Sequence, residues 1–249
     1  MTETSQRLDL ALVARDLVKS RARAQSLIAE GRVTVNGEIA DKANRKVTDA
    51  AEITLDIADM QWVGRGAVKL LAALDHFDLS VKGRIAADIG ASTGGFTQVL
   101  LSRDVRRVYA VDVGHGQLDP VVGKDPRVVN LEKTNSKDLD TTLIPDALDL
   151  IVADVSFISL TKALPAVLDL AAPGADLVAL VKPQFEVGKG NVGKGGIVRN
   201  AALADRVPME MESWINARPG WRSLGTMASP VLGSDGNREF LMGARHVGN

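Results

Sequence analysis

Residues 84–96 read RIAADIGASTGGF, and this stretch determines how the rest of the chain is interpreted. Its first part is mostly apolar, as in a buried strand, and the glycines that follow permit a sharp backbone turn. A helix that begins directly after such a turn points free backbone N–H groups toward an anionic or polar ligand. The stretch therefore predicts a strand, a tight turn and a helix that together face a bound group.

The spacing of the glycines narrows the kind of ligand. The dinucleotide pattern GxGxxG is not met, because Ser92 occupies its second glycine position. Asp88, Gly90 and Gly94 match DxGxxxG instead, which is typical of S-adenosylmethionine sites. Asp112 ends the next predicted strand, 22 residues beyond Gly90, where a carboxylate can accept hydrogen bonds from both ribose hydroxyls. Dehydrogenases use the same arrangement, so Asp112 indicates a nucleoside cofactor without choosing between the two classes.

Strands and helices alternate from Gly64 onward, which is typical of a doubly wound parallel sheet. A late pair of strands would add an antiparallel strand at the end of the sheet. The pattern predicts an α/β fold of the class I, Rossmann-like methyltransferase type. The predicted strands are 84–90, 106–113, 149–155, 176–182, 221–229 and 238–245, and the predicted helices are 65–77, 94–104, 160–171 and 202–217.

Four ionisable residues occur at predicted strand ends or helix starts of this domain. Lys69 is on the first helix, Asp154 follows the apolar run of its strand, Lys182 ends a strand, and Glu239 opens the last one. A single lysine or aspartate at such a place is usually solvated or salt-bridged. Because a parallel sheet gathers its strand ends along one edge, all four together indicate a reaction site there.

The amino-terminal region is basic although the whole chain carries a net charge of −1. Between residues 15 and 46 there are eight basic residues and four acidic ones, a local net charge of +4. Two short helices are predicted at 7–17 and 21–30, with Ser20 as a cap and Gly31 at the end of the second. A hairpin around Asn36-Gly37 follows. A solvated basic face remains the alternative from charge alone.

Residues 7–55, with SRARAQSLIAEGRVTVNG at their centre, resemble an S4 RNA-binding domain. The resemblance implies binding of structured RNA through phosphates and helix shape, because residues 1–60 contain no Phe, Tyr or Trp for base stacking. The glycine-rich stretch 183–200 is a second basic segment. It is interpreted either as a lid that closes over RNA, with Phe185 at the site, or as a flexible surface loop. The predicted RNA-binding residues are Arg7, Arg15, Lys19, Arg21, Arg23, Arg32, Arg65, Lys189, Lys194 and Arg199.

The tetrad Lys69, Asp154, Lys182 and Glu239 resembles that of FtsJ-type ribose 2′-O-methyltransferases. Together with the S4-like region, the segments GRGAVKL, DIGASTGGFTQVLL, ADVSFISL, LVKPQFEVGK and GGIVR resemble the TlyA (hemolysin A) family over nearly the whole chain. The resemblance implies methylation of cytidine 2′-hydroxyls in ribosomal RNA of the large subunit and, in some members, the small subunit. It assigns catalysis to the tetrad and S-adenosylmethionine binding to Asp88, Gly90, Ser92, Gly94, Gly95, Phe96, Asp112 and Asp154.

One segment departs from the family pattern. The usual Ser-Arg-Gly-Gly before the first lysine is here Gly64-Arg65-Gly66-Ala67, which weakens any claim for a contact at Gly64 or Ala67 but leaves Lys69 in register.

The resemblance and the composition define the expected protein. An S4-like domain is expected at 1–59, a linker at 60–63 and the methyltransferase domain at 64–249. Cysteine is absent, only three scattered histidines occur, and no apolar run approaches the ~20 residues of a membrane span, so we expect a cytoplasmic enzyme without metal. Its expected partners are ribosomal RNA or ribosomal subunits. A non-catalytic RNA-binding or ribosome-assembly factor and a hemolysin-like membrane-active protein are the alternatives.

Methyl transfer to a hydroxyl requires that the acceptor oxygen be positioned and lose its proton. Lys182 is the predicted base. To accept a proton it must be neutral near pH 7, which desolvation and the nearby Lys69 would favour and an ion pair with Asp154 would oppose. Asp154 is expected to orient Lys182, while Lys69 and Glu239 fix the ribose.

Overall fold

The computed structural model describes residues 5–18, 21–29, 31–56, 62–233 and 236–248. It divides the chain into two compact units, Met1–Gln61 and Trp62–Asn249. Lys19 and Ser20 lie outside the described residues, as do the side chains of Lys189 and Lys194. The predicted domain boundaries at 59 and 64 stay a prediction.

The described part of the first unit contains two helices and five short strands. The two predicted helices are present as α1 and α2, and strands β1, β4 and β5 were not predicted. Strand β2 pairs antiparallel with β3 and β5, and β1 pairs antiparallel with β4. The elements are β1 (Ser5–Arg7), α1 (Leu8–Ala14), α2 (Arg21–Ala29), β2 (Val33–Val35), β3 (Glu38–Ile39), β4 (Lys46–Thr48) and β5 (Ile53–Leu55).

Local sequence accounts for the turns of the first unit. Asn36 and Gly37 both have positive φ, 53° and 82°, as a two-residue hairpin turn requires, and they join β2 to β3. Gly31 has a φ of 68° directly after α2, the left-handed conformation predicted for a helix end. Leu8, Leu12, Leu27 and Ile28 are buried in the core of this unit.

The second unit alternates strands and helices as predicted, with two differences. The expected helix 160–171 is two short helices separated by Leu164, because Pro165 begins the second. Strand β8 and helices α5 and α8 were not predicted. The elements are α3 (Gly66–His76), β6 (Ile85–Ile89), α4 (Gly95–Ser102), β7 (Arg107–Asp112), α5 (Pro120–Gly123), β8 (Val128–Glu132), β9 (Leu148–Ala153), α6 (Leu160–Ala163), α7 (Pro165–Leu168), β10 (Ala171–Val181), α8 (Pro183–Glu186), α9 (Ala201–Asn216), β11 (Trp221–Ala228) and β12 (Phe240–His246).

Seven strands of this unit form one sheet in the order β11-β12-β10-β9-β6-β7-β8. Neighbours from β10 to β8 are parallel, and β12 is antiparallel to both β10 and β11. The α/β class with a late antiparallel strand is therefore confirmed. The expected place of that strand at the end of the sheet was wrong, because β12 lies between β10 and β11 and β11 forms the edge.

Apolar clusters cover both faces of the sheet. One contains Leu164, between α6 and α7, and Val207 and Ile215 of α9, packed on strand residues such as Ile151. The other contains Leu70 and Leu74 of α3 and residues of α4. Trp62 packs against this second cluster. The arrangement leaves the strand ends as the place where loops can form a site.

Candidate active site

A cavity of about 470 Å³ opens at the carboxyl ends of β6, β7 and β9. This is the edge where open α/β sheets bind ligands, and small-molecule sites typically measure about 300–1,000 Å³. Four predicted cofactor residues contribute to the wall, namely Gly90, Ser92, Asp112 and Asp154. The lining comprises Ile89, Gly90, Ser92, Val111, Asp112, Val113, Gln117, Thr134, Asn135, Ser136, Asp154, Val155, Ser156, Phe157 and Ile158.

Gly90 is required where β6 ends, for two reasons. Its φ of +85° is strained for any residue with a side chain. In addition, a Cβ at this position would lie 2.5 Å from the backbone carbonyl oxygen of Asp154, a separation that real contacts do not reach. The glycine lets the turn after β6 lie directly against the backbone that follows β9, which brings Asp154 to the cavity.

The Asp112 carboxylate is held by two backbone N–H groups. Ser92 donates to Oδ2 at 2.8 Å and Gly114 donates to Oδ1 at 2.7 Å. Each carboxylate oxygen has two acceptor positions, so both oxygens keep a position for a ribose hydroxyl. The geometry fits the predicted role of Asp112 as a fixed acceptor at the cavity wall.

Glu132, at the end of β8, fixes the loop that follows Asp112. Its carboxylate accepts hydrogen bonds from the backbone N–H groups of Gly116 at 2.8 Å and Gln117 at 2.9 Å. These bonds, first among them that from Gly116, lower the pKa of Glu132 below its ordinary value. Sequence reasoning missed Glu132 because it missed the strand that carries it.

Asp88 is fully buried and is not part of the described cavity wall. The Thr97 hydroxyl donates to Oδ2 at 2.6 Å, and Oδ1 has no hydrogen-bond partner among the described residues. Burial raises the pKa of Asp88 to about 7; the hydrogen bond from Thr97 opposes this shift, and the charge of Asp154 adds to it. Asp88 therefore ties β6 to α4, and its contact with a cofactor stays a prediction.

Gly94, Gly95 and Phe96 are likewise not among the described wall residues. Gly94 has a φ of +94°, and a Cβ there would lie 2.8 Å from the Leu118 side chain. Phe96 is buried in the apolar cluster that contains Leu70 and Leu74 of α3. A Cβ added to Gly66 would lie 3.2 Å from its ring. These residues shape the start of α4, and their predicted cofactor contacts stay predictions.

Lys182 and Asp154 form an ion pair at the cavity. The Lys182 Nζ lies 2.6 Å from Asp154 Oδ1, although the angles are not those of a hydrogen bond. The same Nζ donates a hydrogen bond to the Ser156 hydroxyl at 2.8 Å. Because Asp154 and Ser156 both line the cavity, the amine is fixed at its wall.

Lys69 and Glu239 form a second ion pair, with Nζ and Oε2 separated by 2.5 Å and side chains only 9% and 4% exposed. Sheet register relates the two pairs. Val181 is paired with Phe240 across β10 and β12, so Lys182, directly after β10, and Glu239, directly before β12, are neighbours at the same sheet edge. The structure thus brings the tetrad together as two Lys-carboxylate pairs.

An exposed aromatic ring adjoins the cavity. Phe157 lines it, is 93% exposed and has a φ of 66°, which is rare for a bulky residue. Its ring centre lies 5.4 Å from that of Phe185, the aromatic that the sequence placed at the site. Phe157 was missed, because a Phe in ADVSFISL looks like a core residue until its exposure is known.

In the first unit, two of the predicted RNA-binding residues converge on one buried carboxylate. Arg7 donates through Nε to Asp9 Oδ1 and through Nη2 to Oδ2, each at 2.9 Å. Arg21 donates through Nε to Oδ2 at 2.9 Å, as does Gln25 through Nε2. Hydrogen bonding, chiefly from Arg7, holds the pKa of Asp9 well below its usual range. We call Arg7 and Arg21 the arginine pair.

Other predicted RNA-binding residues have internal partners. Arg15 donates to the backbone carbonyl oxygens of Ala51 at 2.7 Å and Thr48 at 2.9 Å, so it braces the segment between β4 and β5. Arg32 donates to the Asp56 carbonyl oxygen at 3.2 Å, and Arg23 is partly buried on α2. Their RNA contacts stay predictions, as do those of the arginine pair.

The remaining predicted RNA contacts lie in the second unit. Arg65 is exposed just before α3, and Arg199 is exposed beyond β10. Within the expected lid, Glu186 accepts hydrogen bonds from the Ser159 hydroxyl at 2.5 Å and the Leu160 N–H at 2.9 Å. The first part of the segment is therefore fixed to the start of α6.

Comparison with known proteins gives the family. Residues 62–246 match the FtsJ-like methyltransferase family. The chain belongs to the FtsJ-like methyltransferase family. Residues 6–53 match the S4 domain, so the combination expected from the sequence is confirmed.

Relatives of this FtsJ-like chain carry the name TlyA or the name Hemolysin A. It is 46% identical to the 16S/23S rRNA (cytidine-2′-O)-methyltransferase TlyA of Mycobacterium tuberculosis, over 96% of this chain and 89% of that one. It is 40% identical to Hemolysin A of Brachyspira hyodysenteriae, over 94% of this chain and 98% of that one. A solved structure of a protein from Streptococcus thermophilus is 36% identical to this chain. Its TM-score is 0.75, and the match covers 98% of this chain and 90% of that one. In the described part of the chain, no helix is long and apolar enough to cross a membrane.

Proposed function

We propose that this FtsJ-like enzyme transfers a methyl group from S-adenosylmethionine to the 2′-hydroxyl of a cytidine in ribosomal RNA, in the large subunit and in the small subunit as a further substrate. The observation that carries the proposal is the placement of Lys182, ion-paired with Asp154, at the cavity wall and beside the Lys69–Glu239 pair. A cavity for a nucleoside cofactor next to a fixed amine suits methylation of a hydroxyl.

The cavity fits S-adenosylmethionine. Asp112 retains acceptor positions for the ribose hydroxyls, and the rest of the wall combines polar side chains such as Gln117 and Asn135 with apolar ones. The turn at Gly90 has no side chain to fill the space beside Asp154. When bound, the cofactor supplies an electrophilic methyl group on a sulfonium.

The chain's own residues must position the acceptor hydroxyl and handle its proton. Lys182 is the proposed base, since its Nζ is held by Asp154 and Ser156 and its side chain is only 11% exposed. Asp154 orients the amine. Lys69 and Glu239 neutralise each other and present a fixed donor and acceptor for the ribose. If Lys182 instead remains charged, it stabilises the developing alkoxide.

Substrate capture is assigned to both units. The arginine pair offers guanidinium N–H groups beyond those bonded to Asp9, and guanidinium groups match phosphate geometry. At the cavity, Phe157 and Phe185 provide ring surface on which an unstacked base could lie. Shape and phosphate recognition in one unit and base stacking in the other suit a structured RNA with one displaced nucleotide.

A labelling experiment tests the proposal. The full chain is incubated with tritium-labelled S-adenosylmethionine and either large subunits, small subunits or naked ribosomal RNA, and label in ribonuclease-sensitive material is counted. We expect label in RNA. RNA binding without label would indicate a non-catalytic assembly factor. Lysis of erythrocytes without RNA labelling would favour the membrane-active alternative that the hemolysin name suggests.

A further inference from the structure

The glycine-rich loop, residues 188–199, contains an ordered turn. Val192 and Val198 form an antiparallel bridge, and within it the Gly193 N–H donates to the Ile197 carbonyl oxygen at 2.8 Å. A Cβ on Gly193 would lie 2.5 Å from Nε of Arg199, so the arginine side chain packs over this glycine. The loop therefore presents Arg199 from a defined backbone.

One buried side chain joins this turn to a distant segment. Asn237 is 6% exposed. Its Nδ2 donates to the Gly196 carbonyl oxygen at 2.9 Å, and its Oδ1 accepts from the Val198 N–H at 3.2 Å. The amide thus uses a donor and an acceptor on the same turn, which fixes its orientation.

Asn237 lies two residues before Glu239 in a segment that is itself tightly packed. The Gly233 N–H donates to the Asn237 carbonyl oxygen at 2.9 Å, and Ser229 N–H donates to that of Glu239 at 2.9 Å. A Cβ on Gly233 would lie 2.5 Å from Glu239 Oε1, so the backbone lies directly against the carboxylate. Any shift of this segment therefore moves the carboxylate that pairs with Lys69.

We propose that Asn237 is a positioning residue that docks the glycine-rich loop onto the segment carrying Glu239. The loop and the Lys69–Glu239 pair then form one preformed wall of the RNA site, and RNA bound by the loop is held in register with the tetrad. The expected effect on RNA methylation rests on the proposed function. The docking of the loop itself can be measured without RNA.

Two variants separate this role from simple stability. Asn237→Ala removes both hydrogen bonds, and Asn237→Asp keeps the size and the acceptor but cannot donate to Gly196. Arg238→Gln is the matched control, because it breaks the exposed Arg238–Asp205 ion pair of the same segment. For both Asn237 variants we expect kcat/KM for RNA to fall about 10- to 100-fold, with S-adenosylmethionine affinity unchanged. The control should stay within about twofold of wild type.

Hydrogen exchange provides the measurement that is independent of catalysis. Both Asn237 variants should exchange faster at 192–198, while β12 and α9 keep wild-type protection. Unchanged exchange at 192–198 would overturn the docking role. Equal losses of S-adenosylmethionine affinity and RNA turnover would also overturn it, because they indicate general destabilisation. If wild type labels no RNA, the proposed function fails, and the exchange result still decides the role of Asn237.

Discussion

Replacing Asp9 by asparagine should weaken RNA binding even though it makes the first unit more positive. Asp9 is fully buried and accepts hydrogen bonds from both members of the arginine pair, whose side chains are 37% and 51% exposed. Arg7 is bound through Nε and Nη2 and Arg21 through Nε only, which leaves further Nη hydrogens on each for phosphate. Without the carboxylate charge, the two guanidinium groups lose their common anchor.

The magnitude follows from counterion release. Each phosphate contact contributes a slope of about −0.9 to a plot of log K against log salt concentration. One contact therefore strengthens binding roughly fivefold at about 0.15 M salt relative to about 1 M salt. Loss of one or both contacts of the arginine pair should lower affinity about 5- to 30-fold and reduce the slope by about 1 to 2. A purely electrostatic view predicts the opposite sign, because removal of a negative charge strengthens attraction to RNA.

The assay is filter binding of full-length protein to ribosomal RNA over a range of salt concentrations, with circular dichroism to confirm that the variant is folded. Gln25→Ala is the matched control, because it removes a neutral bond to the same Asp9 oxygen and leaves the arginine pair in place. If the Asp9→Asn variant binds RNA as tightly as wild type or tighter, with an unchanged salt slope, the Asp9 carboxylate does not hold the arginine pair in place for phosphate. If Asp9→Asn does not fold, Arg7→Lys with Arg21→Lys keeps the charge without the forked geometry and should show the same loss.

The remaining predictions concern the second unit. Asp112→Ala removes a charged acceptor for ribose hydroxyls, so calorimetry should show S-adenosylmethionine binding weakened by about 1–3 kcal/mol, and unchanged affinity would contradict the placement of the ribose. Lys182→Arg keeps the charge but cannot release its proton in the working range, so methyl transfer should fall about 10²–10⁴-fold with cofactor and RNA affinity retained. Activity within a few-fold of wild type would leave Lys182 only an electrostatic role. The folded-state pKa of Asp88, about 7, exceeds its ordinary value of 3.8, so the native state binds an extra proton in that interval and loses stability as pH rises through it. In urea titrations the free energy of unfolding of Asp88→Asn should therefore rise relative to wild type by roughly 1.4 kcal/mol per pH unit between about pH 4 and 7, whereas a constant difference would disprove the raised pKa.

Features set by neighbouring residues in sequence were predictable. The Asn36-Gly37 hairpin needs only two residues with positive φ, and the turn at Gly90 needs only a glycine after an apolar strand. The tetrad was predicted from places at strand ends and from family resemblance, and the structure places its members together as ion pairs. Their catalytic roles stay predictions.

Features set by distant packing were not predictable. Strand β12 follows β11 in sequence, but its insertion beside β10 depends on contacts across the whole sheet. The exposure of Phe157 reverses what an apolar residue normally implies. Asp9 and Asn237 are polar residues whose importance lies in burial against groups from elsewhere in the chain, and hydropathy patterns carry no such information.

The identity of the methylated product shows directly whether the enzyme modifies the cytidine 2′-hydroxyl. Ribosomal RNA treated with the enzyme and S-adenosylmethionine is digested to nucleosides and analysed by mass spectrometry beside RNA treated with Lys182→Arg. We expect 2′-O-methylcytidine, with the added mass on the ribose fragment, in the wild-type sample, and about 10²–10⁴-fold less of it in the Lys182→Arg sample. Methyl groups on the cytosine base, or no methylated nucleoside in the wild-type sample, would rule out 2′-O-methylation of cytidine.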